Sequence, residues 1–142
     1  MKELLKTVEA EQGRAPKGEP YWIVDSDGTI EKYKEDEHSV DDLYFELGNY
    51  YPTPEDANRA EKQIRLFRIL DRFSRQNGWT DELWEDGSSE KFYIYSSQCG
   101  RTTETGYTRY HRDMCQVYFI SESVARQAIE KYHDLIMEVM AI

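Results

Sequence analysis

Two stretches of the chain carry the same succession of apolar, polar and small residues. Gly48-Asn-Tyr-Tyr-Pro-Thr-Pro-Glu-Asp-Ala-Asn-Arg-Ala60 and Val117-Tyr-Phe-Ile-Ser-Glu-Ser-Val-Ala-Arg-Gln-Ala128 each read as a β-favouring aromatic run that passes into a helix. Setting Tyr51 on Phe119 places Thr53 on Ser121, Ala57 on Ala125 and Ala60 on Ala128 without a gap. Thr53 and Ser121 are hydroxyl N-caps, and Pro54 supplies the fixed φ that suits a first helical position. A further β-rich run lies upstream of each copy, at residues 21–24 and 92–95. The repeating unit is therefore strand, strand, helix.

The remaining pattern fills in around these copies. Leu4, Leu5 and Val8 predict a short amphipathic helix over residues 2–12, ended by Gly13, Pro16, Gly18 and Pro20. Asp25-Ser-Asp-Gly28 lies between β-rich runs, a hairpin signal. Residues 31–46 hold seven acids against two lysines and predict a solvated loop, the densest negative patch of the chain. A helix from Pro54 to Asn77 stops at Gly78. Its apolar stripe runs through Ala57, Ala60, Ile64 and Phe67, with Leu66, Leu70 and Phe73 beside it. Residues 91–97 and 114–120 are expected to pair as strands around a polar tip at 100–113. A last helix, 122–140, turns Ala125, Ala128, Ile129, Tyr132, Leu135, Ile136 and Val139 inward. The expected fold is α+β in a single domain, 1–142. It comprises an N-terminal helix and linker (1–19), a first ββα unit (20–78), an acidic connector (79–90) and a second ββα unit (91–142). Both helices should pack on a mainly antiparallel sheet.

Charge narrows the function classes. At 142 residues and net charge −10, the chain can bury one ordinary core, repels nucleic acid and anionic membrane at long range, and favours cationic partners. No apolar run approaches the roughly 20 residues of a membrane span, and the first residues lack an apolar signal core. The expected location is the cytoplasm, which two cysteines also suit.

Candidate chemistry is sparse. Asp25 to Glu31 has the alternating oxygens of an EF-hand centre, but Ile23 and Lys34 stand where that loop needs an acid and a bidentate Glu, so a turn is the better reading. Cys99, His111 and Cys115 offer soft and imidazole ligands for zinc, yet their spacing matches no tight ligand knuckle. There is no nucleophile elbow, phosphate-cradling glycine loop or paired-histidine metal helix, so neither enzyme nor cofactor is expected. Two charged surfaces remain. Glu35, Asp36, Glu37, Asp41 and Asp42 form an acidic patch for a basic partner. Arg65, Arg68, Arg72 and Arg75 fall within an arc of about 80° on the long helix. With Arg101, Tyr107, Arg109, Tyr110 and Arg112 of the tip, they could hold phosphates and stack on bases. Pairing with the acids of residues 31–46 would occupy the same arginines without any ligand.

Gly48, Asn49, Tyr51, Thr53, Glu55 and Ala57 make up a Gly-Asn-x-[Phe/Tyr]-x-Thr-x-Glu-x-Ala motif. With Trp22-Ile-Val-Asp-Ser-Asp-Gly-Thr-Ile before it and Val117-Tyr-Phe-Ile-Ser-Glu-Ser-Val-Ala after it, the chain resembles a family of small phage and prophage proteins of Gram-positive bacteria over residues 21–136. The resemblance implies the fold and a host-cytoplasm setting but no active site. Small acidic proteins of this kind are often inhibitors of host defence. The expectation is a protein-binding inhibitor, most specifically an anti-CRISPR protein that mimics nucleic acid against a type II effector nuclease. The alternative is a nucleic-acid-binding phage regulator.

Overall fold

The computed structural model describes residues 13–97 and 102–141, so the helix expected over residues 2–12 lies outside the described residues. The fold is α+β, with four helices and two separate two-stranded antiparallel sheets among the described residues. The chain divides into two compact units, Met1–Glu61 and Lys62–Ile142, and the division falls inside the long helix.

In the first unit, β1 (Pro20–Val24) pairs antiparallel with β2 (Ile30–Lys34), with Trp22 opposite Lys32. The Asp25-Ser-Asp-Gly turn closes through the Asp25 N–H, which donates to the Thr29 carbonyl at 2.8 Å. The acidic stretch is not the solvated loop that its charge predicts. Its start is β2, and its end is the helix α1 (Ser39–Glu46). Asp41, the third residue of α1, reaches back so that its carboxylate accepts the N–H of the N-cap His38 and that of Asp36 in the approach to the helix. Gly48 ends α1 in the left-handed conformation, φ +73°, donating to the Phe45 carbonyl.

Beyond Gly48 the chain makes a strand reduced to two positions. Tyr51 exchanges both backbone hydrogen bonds with Trp22, at 2.8 and 2.9 Å. Two residues earlier, the Asn49 side chain does the same work for Val24, its Oδ1 accepting the Val24 N–H and its Nδ2 donating to the Val24 carbonyl, both at 2.8 Å. The chain then enters α2 (Pro54–Gln76), with Thr53 Oγ1 accepting the Asp56 N–H. Tyr21, Ile23 and Ala57 are the buried apolar residues among the described residues of this unit, and Tyr50 stacks on Tyr21 with ring centroids 4.0 Å apart.

The second unit repeats the junction. β3 (Lys91–Ser96) is flanked by Phe119, which exchanges both backbone hydrogen bonds with Phe92. Ser121 Oγ accepts the Val124 N–H at the start of α3 (Glu122–Lys131), the same cap-to-third-residue bond that Thr53 makes. Ala125 is as fully buried as Ala57. The copies differ one turn later, where Ala128 is fully buried and Ala60 only half-buried.

Two strand and helix expectations need correction here. β3 pairs with β4 (Thr103–Thr108), inside the supposed tip, and residues 114–118 form no strand. In the sequence, Gly106 argues against a strand. However, Tyr93 stands opposite it and lays its ring where a Gly106 Cβ would be, so the glycine makes room for an aromatic cover. The last helix is two: α3 and α4 (His133–Met140) are separated at Tyr132, φ −111°, whose ring stands edge-on to Phe73.

Helix α2 ends as its sequence predicts. Gly78 is left-handed, φ +99°, and the Trp79 N–H reaches back to the Ser74 carbonyl at 3.2 Å, the six-residue closure of a Schellman ending. Its apolar stripe is divided, because side chains turn by about 100° per residue and the helix is 23 residues long. Leu70 and Phe73 join Val117, Phe119, Ala125 and Ala128 in the second core, while Ile64 and Phe67, expected inside, stay about 40% exposed. Trp79 and Trp84 cover one end of this core around Tyr118.

Candidate interaction surfaces

The five acids predicted as one partner-binding patch take two different roles. Glu35 is 1% exposed and is the hub of a closed network. Arg14 Nε donates to its Oε1 at 2.6 Å, the Tyr50 hydroxyl donates to the same oxygen at 2.9 Å, and the Glu37 N–H donates to Oε2. Asp41 is 3% exposed and accepts the Tyr21 hydroxyl besides the two backbone N–H groups at the start of α1. Burial alone would raise both carboxyls, but the donors of Arg14, Glu37 and Tyr50 hold Glu35 below its ordinary range, and those of Tyr21, Asp36 and His38 do the same for Asp41. Burial, reinforced by Glu35, pushes the Tyr50 hydroxyl up to about 12, and burial with the Asp41 bond pushes Tyr21 up as well. Asp42 is tied to Arg14 at 2.6 Å. Asp36 and Glu37 remain exposed. Counting charges along the sequence could not show that Arg14, Tyr21 and Tyr50 close on this stretch from elsewhere in the chain.

Beside these acids lies a surface that the charge pattern conceals. Val40 and Leu43 of α1 and Leu47, its C-cap, are 51%, 51% and 71% exposed, and their spacing puts them within about 60° of one another around the helix axis. Exposed acids flank that face, Asp36 and Glu37 before the helix and Glu46 in its last turn. The only sequence signal for it is an apolar residue every third or fourth position, set among acids.

The basic candidates are dispersed. On α2, Arg75 pairs with Asp71 and Asp81, each at 3.2 Å. Arg65, Arg68 and Arg72 are exposed, and among the described residues Arg68 and Arg72 make no ion pair. Of the predicted tip, Arg101 lies outside the described residues. Thr108 stands opposite Lys91 at one end of the β3–β4 hairpin. Tyr107 belongs to β4 and Arg109 comes just after it, paired with Glu90 at 3.3 Å. Arg112 stacks its guanidinium over Trp84, and Tyr110 is 81% exposed. Lys91 is buried at this end, its Nζ donating to the Asp86 and Arg109 carbonyls and lying 5.4 Å from the Trp84 ring centre.

Of the three zinc candidates, two are among the described residues. His111 faces Asp113 at 2.9 Å, Cys115 is an exposed free thiol, and Cys99 lies outside the described residues. Among the described residues, no group of three or more His, Cys, Asp or Glu side chains is placed to hold a metal ion. No described helix is long and apolar enough to cross a membrane.

The second unit also carries a groove of ≈ 250 Å³ between α2, β3 and α4. Its floor includes Leu70, Phe119 and Ile136, and Cys115 lies in its lining. No protein-family model, curated protein or solved structure matches the chain.

Proposed function

We propose that the protein acts by binding another protein, with α1 as the docking element and a basic, amphipathic segment as the partner. The observation that carries this reading is the exposure of Val40, Leu43 and Leu47 on one helix face with Asp36, Glu37 and Glu46 around it. Apolar side chains left in water on a short helix favour burial against a partner, while flanking acids select a cationic one and speed its approach. In its most specific form, drawn from the phage resemblance, the partner is a host defence nuclease of the type II CRISPR class. Its phosphate-binding groove, rich in Lys and Arg, would receive the exposed acids in place of nucleic acid. Glu35 and Asp41 then act from inside, by shaping the segment that presents Asp36 and Glu37.

Nuclease cleavage and direct binding are to be measured with the wild-type protein and with a Val40→Asp/Leu43→Asp variant. The expected outcome is inhibited cleavage by the wild type and loss of both inhibition and binding in the variant, at an unchanged melting temperature. Undiminished cleavage across a panel of such nucleases removes that target. A partner retained equally by the variant removes α1 as the docking element.

Arg68 and Arg72, exposed and without an ion pair among the described residues, favour a second reading, a regulator that binds nucleic acid through the arginines of α2. Gel shifts at low salt test it, since phosphate binding is strongest there.

A further inference from the structure

We infer that the groove of the second unit is a binding site for a small, neutral, apolar molecule. This is independent of the α1 surface. The groove measures ≈ 250 Å³, and its apolar walls include Leu66, Phe67, Ile94, Val139 and Met140. A cavity of about 150 Å³ lined by such side chains is already large enough for benzene, so this one takes two fused rings, or one ring with a short chain. Charge decides the class of occupant. Charged residues make up 32% of the chain, yet among the described residues none that lines the groove is charged. An ion placed there would give up part of its hydration with no counter-charge among the described lining residues to offset it, on a protein whose net charge of −10 already repels anions. The same absence leaves nothing to hold the basic segment that suits α1.

The groove also offers a place for one polar end. Gln63, Ser96 and Thr103 line it, and among the described residues no hydrogen bond occupies their side chains. A hydroxyl, amide or ring nitrogen on the ligand can meet these groups while its body covers Phe67, which is 40% exposed without it. Few polar groups around an apolar hollow orient a ligand, and the hollow supplies the affinity.

The test uses phenylnaphthylamine, an uncharged probe that fluoresces out of water, titrated into the full-length protein. Saturable, one-to-one enhancement is expected. Phe67→Glu and Met140→Glu, at positions that already reach solvent, should each weaken it by about tenfold or more because they put a charge beside an apolar ligand. Circular dichroism and melting curves establish that both variants are folded. The anionic analogue, anilinonaphthalene sulfonate, should bind less tightly than the neutral probe. In a Cys99→Ser background, the probe should slow alkylation of Cys115. The inference is overturned by an absence of saturable binding, by affinities that neither substitution alters, or by equal affinity for the anion. It is equally overturned if sedimentation shows the probe merely dissociating a dimer, since the groove would then belong to a second copy.

Discussion

The Asn49 side chain is a strand residue for Val24: its amide pairs with both the N–H and the carbonyl of Val24, as a neighbouring backbone would. Tyr51 continues the same ladder through its main chain to Trp22. Asn49→Leu keeps the size of the side chain and deletes both bonds, leaving two half-buried backbone groups unpaired. The expected cost is about 1 to 3 kcal/mol, read from urea denaturation, and a loss below that range would mean that water replaces the amide without penalty.

Acid should weaken the first unit. Glu35 and Asp41 bind protons less readily folded than unfolded, so unfolding takes up protons once the pH falls to their ordinary values, 4.5 and 3.8. Their contribution is complete above those values and disappears as pH drops toward the lower folded ones. Tyr21 and Tyr50 have the opposite sign: both are raised above 10.0 and contribute below it, and Tyr50 loses its contribution as pH climbs toward 12, Tyr21 at higher pH still. Melting temperature against pH should therefore show a plateau with both an acid and an alkaline shoulder. Glu35→Gln should lower the plateau and flatten the acid shoulder; a profile of unchanged shape would contradict the assignment.

The repeated alanines should not respond alike. Ala128 has no exposed surface, so Ala128→Leu overfills the contact and should cost about 1 to 3 kcal/mol. Ala57→Leu, at an equally buried position, should cost as much. Ala60→Leu, at a half-buried position, should cost less, and Arg126→Leu on the exposed face of α3 should stay within about 0.5 kcal/mol. Thermal melts of the four variants rank them directly.

Lys91 is a buried cation held by two carbonyls and an indole face, a use of lysine that depends on its ammonium donors. Lys91→Met keeps the flexible apolar stem and removes the donors, leaving the Asp86 and Arg109 carbonyls without this partner. A loss of about 1 to 3 kcal/mol is expected, accompanied by a change in Trp fluorescence because Trp84 lies against the ammonium.

How far each feature can be read in the sequence depends on how local its cause is. The Asp25-Ser-Asp-Gly turn, the Thr53 and Ser121 caps and the Gly78 stop depend on a few adjacent residues, and all are legible there. The partner of β3 is not, because residues 117–120 are richer in aromatic and branched side chains than Thr-Glu-Thr-Gly-Tyr-Thr. The nearer segment forms the hairpin all the same, and Phe119 supplies a single bridge on the other edge. The acidic stretch misleads for the converse reason. Its apparent repulsion is relieved by Arg14, by two tyrosine hydroxyls and by backbone N–H groups, none of which a local charge count includes. The same count hides the apolar face of α1, although Val40, Leu43 and Leu47 stand in plain order.

The doubled junction bears on how such a chain can change over generations. Both copies place a bridging aromatic, a hydroxyl cap and a buried alanine at matched positions, yet one adds an amide in place of a strand residue and the other does not. The geometry is thus met by more than one spelling, and it draws on few side chains that face outward. A scaffold specified so sparsely leaves the outer positions of each copy open to drift without disturbing its junction.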